Sequence, residues 1–73
     1  MNLEERLQGL HARLGATRLR VTLLDGSVFE GTYTEYTDAE DNVEGVASVN
    51  IEVEPDNPEY CLMEDEIKEI SII

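Results

Sequence analysis

The sequence predicts a mainly β fold, an N-terminal α-helix followed by a five-stranded, strongly bent barrel. Three observations lead there. Apolar residues recur at helical spacing only in the first stretch. From residue 18 onward they alternate with polar ones, as half-buried strands require. The breaks between those runs are turn-formers: Asp25-Gly26, an acidic loop, two prolines and a triplet of acids. With 73 residues, the chain makes one domain, 1–73, with a modest core.

The helix is expected over residues 3–14, ahead of a barrel over 18–73. Asn2 and Glu5 have the spacing of a capping box. Leu3, Leu7, Leu10 and Leu14 form one stripe, and Gly15 follows where a helix commonly ends. RLRVTLL, 18–24, alternates Leu19, Val21 and Leu23 with Arg18, Arg20 and Thr22 as a first strand. Asp25-Gly26 supplies the positive φ of a hairpin turn. SVFEGTYTEY forms a long second strand, which Gly31 interrupts as a bend, bulge or close approach would. VASVNIEVE, 46–54, is a third strand, and Pro55 and Pro58 make 55–59 a loop. YCLM, 60–63, and IKEISII, 67–73, complete the set, divided by Glu64, Asp65 and Glu66.

Charge narrows the partners. The net charge is −12, yet residues 1–20 carry four arginines against two glutamates. Residues 21–73 carry Lys68 against fifteen acids and therefore repel phosphate. The single Cys61 excludes an internal disulfide and a cysteine-rich zinc site, and a cytoplasmic location is the expectation. No apolar run is long enough for a membrane span, and no signal peptide is expected. The lone His11 reads as a helix-surface residue. With one histidine, one cysteine and no nucleophile beside a base, no catalysis and no cofactor are expected.

The order of helix, hairpin, long bent strand and very short last turn resembles the Sm/LSm family, which includes the Hfq-like proteins. The first family motif reads here as Leu23, Asp25-Gly26, Gly31, Tyr33, Tyr36, Asp38 and Asn42. The second reads as Leu62 and Met63, then Ile67 and Ile70. The resemblance implies a homo-oligomeric ring, a hexamer or heptamer, in which the fourth strand of one copy pairs with the fifth of the next. Tyr60, Cys61, Leu62, Met63, Ile70 and Ile72 would form that interface. It also implies RNA as ligand, with Asp38 and Asn42 lining the pore. The departures are specific. One extra residue separates Gly31 from Asp38. Glu64 and Asp65 stand where nucleic-acid-binding members carry arginine and glycine, and the Lys-His pair of Hfq-like proteins is missing.

Other surfaces remain candidates. Arg6, Arg13, Arg18 and Arg20 would repeat around the helix-bearing face of a ring as a basic RNA-binding rim. Tyr33, Tyr36 or Tyr60 could stack bases, although strand tyrosines more often pack. Asp38, Asp41 and Glu44 supply oxygen donors for a divalent cation, without the spacing of a calcium loop. The acidic surface also suits a basic protein partner.

Overall fold

The computed structural model describes residues 1–53 and 58–73. Helix α1 spans Leu3–Gly9, and the strands are β1 (Arg18–Leu23), β2 (Val28–Thr37), β3 (Ser48–Glu52), β4 (Glu59–Met63) and β5 (Ile67–Ile72). Short 3-10 turns occupy Ala39–Asp41 and Glu64–Glu66. All pairings are antiparallel, in the order β4-β3-β2-β1-β5. The sheet does not close into a barrel: β4 and β5 are its edges. The expected loop at 55–59 and the end of the third strand at Glu54 fall partly outside the described residues. No helix among the described residues is long and apolar enough to cross a membrane.

Helix α1 is shorter than the leucine spacing predicts. It starts as expected: the Asn2 side chain accepts from the Glu5 N–H at 3.0 Å. It stops because His11 turns left-handed, with φ 56°. The Ala12 N–H then reaches the Leu7 carbonyl and the His11 N–H the Gln8 carbonyl, both at 3.0 Å. Those paired bonds close the helix end. Leu10 still packs against the core, whereas Leu14 is left 62% exposed. Gly15 caps no helix; its N–H bonds the Tyr33 carbonyl at 2.7 Å and ties the 12–17 turn to β2.

The hairpin forms where Asp25-Gly26 predicts it. Leu23 donates to the Ser27 carbonyl at 2.8 Å and Gly26 to the Leu23 carbonyl at 3.0 Å, with Gly26 at φ 92°. Leu24, Asp25 and Gly26 therefore make the loop. The Ser27 N–H donates to the Asp25 carboxylate at 2.8 Å, which holds the Asp25 pKa below its ordinary value.

Two devices in β2 shape the sheet. At Gly31 a Cβ would lie 2.3 Å from the Glu52 carbonyl oxygen, so the strands cross at a separation only glycine permits. Three residues on, the register shifts: Tyr33 faces Ile51, but Glu35 faces Asn50. Thr34 is the extra residue of a bulge, its hydroxyl 3.2 Å from the Asn50 carbonyl. A flat sheet of this width could not bury one face under a seven-residue helix. Curling lets Leu19, Val21, Val49, Ile51 and Ile70 bury one another, with Leu3 and Leu7 of α1 plugging the open side. Phe29 of β2 and Tyr60 of β4 meet across the hollow, centroids 4.8 Å apart.

The glycines give a direct test. Gly31→Ala is expected to cost about 1–3 kcal/mol, because backbone must move to admit the methyl group. Gly9→Ala, with nothing within 4 Å of the added carbon, should instead stabilise α1 by about 0.5–1 kcal/mol. Urea denaturation of both variants reads the two signs.

Candidate functional site

The acidic loop leaves β2 after Thr37. Asp38 is extended and precedes the Ala39–Asp41 turn. Asn42 turns inward: its amide donates to the Val46 carbonyl at 2.8 Å and to the Ser48 hydroxyl at 3.0 Å. Ser48 is only 1% exposed, so Asn42 satisfies a buried hydroxyl and pins the loop. Asp38, Asp41 and Glu44 stay exposed. Among the described residues, no group of three or more His, Cys, Asp or Glu side chains is arranged to hold a metal ion. The structure thus does not bring the proposed cation ligands together.

The glutamate in the second motif has a structural task. The Glu64 carboxylate accepts from the Leu3 N–H at 2.7 Å, alongside the Asn2 cap, and so stabilises the first turn of α1. An arginine there would place a donor against a donor.

The four arginines have different surroundings. Arg6 Nε and Nη2 donate to the Ile70 carbonyl at 3.3 and 2.9 Å, and Glu69 lies 4.0 Å from Nη2. Arg20 is paired with Glu30 across the β1–β2 ladder. Arg18 shares the outer face of β1 with Arg20, opposite Leu19 and Val21. Arg13 is exposed in the turn after α1, its N–H bonded to the Thr17 hydroxyl at 2.8 Å.

The edges carry a different chemistry. The Val53 N–H bonds the Pro58 carbonyl and the Glu64 N–H the Ala47 carbonyl, each at 2.8 Å. By alternation, Tyr60 and Leu62 bond β3, and the backbone groups of Glu59, Cys61 and Met63 face the open edge. On β5, the Ile73 N–H reaches the Arg18 carbonyl at 3.2 Å. Ile70 and Ile72 therefore point their backbone groups outward, and Arg6 covers one of them. The side chains expected at the interface divide. Leu62 and Ile70 sit in the chain's own core, and Tyr60 rests on Phe29. Cys61 and Ile72 are exposed, and Met63 is half-buried.

A cleft between α1 and β2 was not anticipated. It has a volume of about 160 Å³ and is lined by Glu4, Leu7, Gln8, Ala12, Tyr33 and Tyr36. The Thr34 bulge makes it, by turning tyrosines three positions apart onto one face. The Tyr36 pKa is pushed up to about 12, first by desolvation, then by hydrogen bonding to Asp38 and by the charges of Asp38, Glu4 and Glu64. The sequence signal was the extra residue before Asp38; nothing marked Glu4. No protein-family model, curated protein or solved structure matches the chain.

Two outcomes follow. Glu64→Ala removes the acceptor of the Leu3 N–H, leaves the Asn2 cap in place, and should cost about 0.5–2 kcal/mol in urea denaturation. Ultraviolet titration should find the Tyr36 phenol ionising near pH 12 in the folded protein. Its folded pKa exceeds the ordinary value of 10.0, so its contribution to stability is complete below pH 10 and is lost as pH rises toward 12.

Proposed function

We propose that this chain is a non-catalytic, Sm-like assembly module that binds protein rather than RNA. The strand order carries the reading. The sequence β4-β3-β2-β1-β5 leaves the fourth and fifth strands as free edges, the pair through which the family it resembles closes its rings. Two further features support it. The Thr34 bulge takes up one residue in the segment where the spacing exceeds the family pattern by one. Exposed Cys61 and Ile72 border the two edges and leave each a partly apolar rim.

The preference for protein rests on charge. Arg6 and Arg20 are held by a carbonyl and a carboxylate. Glu64 stands at the turn where nucleic-acid-binding members hold arginine, and it caps α1. Fifteen of the seventeen acids lie beyond residue 20. Phosphate meets repulsion over most of this surface, and cationic protein segments meet attraction.

Native mass spectrometry tests assembly. A hexamer or heptamer of the 8.2 kDa chain is the expected species, and a strictly monomeric protein at micromolar concentration overturns the reading. Cys61→Pro sharpens the test: it deletes an N–H that faces the open edge and no bond within the sheet. The variant should keep its fold by circular dichroism and lose the higher mass.

A further inference from the structure

We infer that the cleft between α1 and β2 is a binding site for a cationic side chain, an arginine or lysine presented by a basic peptide. The size is right for one long side chain, at about 160 Å³. The walls divide by chemistry. Leu7 and Ala12 offer apolar contact to a methylene stem, and Tyr33 and Tyr36 offer aromatic rings. Glu4 stands at the rim, and Asp38 and Glu64 join it in acting on the Tyr36 hydroxyl. No basic residue lines the cleft.

Tyr33 adds an independent pointer. It is only 6% exposed, and its backbone N–H and carbonyl are bonded to Thr17 and Gly15. Its hydroxyl has no hydrogen-bond partner among the described residues. Yet no buried side-chain polar atom among them lacks a partner. The hydroxyl therefore keeps some contact with solvent, and Tyr33 is one of the residues that line the cleft. A nearly buried residue of the cleft wall thus keeps an unused polar group. A guanidinium or ammonium donor would engage it while the rings and carboxylates take the charge. A divalent ion fits less well, because among the described residues no three His, Cys, Asp or Glu side chains converge.

The lining residues lie on α1, the turn after it and β2, and none is on the edge strands β4 and β5. Assembly is read by mass and the cleft by titration, so each fails separately. The experiment is calorimetric titration of the whole protein at low ionic strength with a peptide of alternating arginine and glycine. The same peptide with citrulline replacing arginine keeps the shape and removes the charge. The arginine peptide should bind and the citrulline peptide should not. Tyr36→Leu should weaken binding about two- to thirtyfold, the range spanned by a lost cation–π contact. Glu4→Gln changes only an exposed rim residue and should also weaken it. Glu35→Gln removes an equal charge from the opposite face of the sheet and should leave binding intact. Equal losses from Glu4→Gln and Glu35→Gln would reduce the effect to diffuse attraction and overturn the site. So would equal binding of the citrulline peptide, or no binding of the arginine peptide.

Discussion

A Cβ at position 31 would lie 2.3 Å from the Glu52 carbonyl oxygen, and the curl of the sheet depends on its not being there. The chain has about two helical turns to cover five strands, far too little for a flat sheet. The only route to a buried core is for the sheet to bury itself. Gly31 lets β2 cross β3 at close range, and the bulge at Thr34 adds twist beyond it. Phe29 and Tyr60, two strands apart, can then touch across the hollow. The cleft beside α1 is a by-product of that same geometry, since it opens where a bulged strand and a short helix meet.

Charged side chains act inside this fold as backbone caps more than as surface decoration. Glu64 satisfies a helix N–H, and Arg6 satisfies an edge carbonyl. Asn42 does similar service for a buried hydroxyl. Two of the few cations are thereby committed to internal partners, since Arg20 is matched to Glu30. The carboxylates outnumber any such task, and the surplus defines the surface. Acidic character is consequently a property of most of the exterior, with residues 1–20 as the exception.

Alternation and turn chemistry made the strands legible, because a period of two and an Asp-Gly pair are local signals. Leu19, Val21, Val49 and Ile51 were readable as core for the same reason. The end of α1 was not, because a histidine in the left-handed region is uncommon and leaves no local mark. Leu14 completed a perfect stripe and still ended outside, since the chain had to turn back toward β1. The duties of Arg6 and Glu64 were equally hidden. Their partners, Ile70 and Leu3, lie more than sixty positions away in sequence, and only tertiary structure joins them. The cleft depended on one inserted residue, which in the sequence looked like a departure from a spacing.

The surplus of negative charge has a thermodynamic consequence for association. Two copies of a chain with a net charge of −12 repel each other, so any self-association must overcome a Coulombic barrier that dissolved ions screen. Capture of a cationic segment draws on the opposite force, which the same ions weaken. Ionic strength therefore pushes the two processes in contrary directions: salty solution favours like meeting like, and dilute solution favours the oppositely charged visitor.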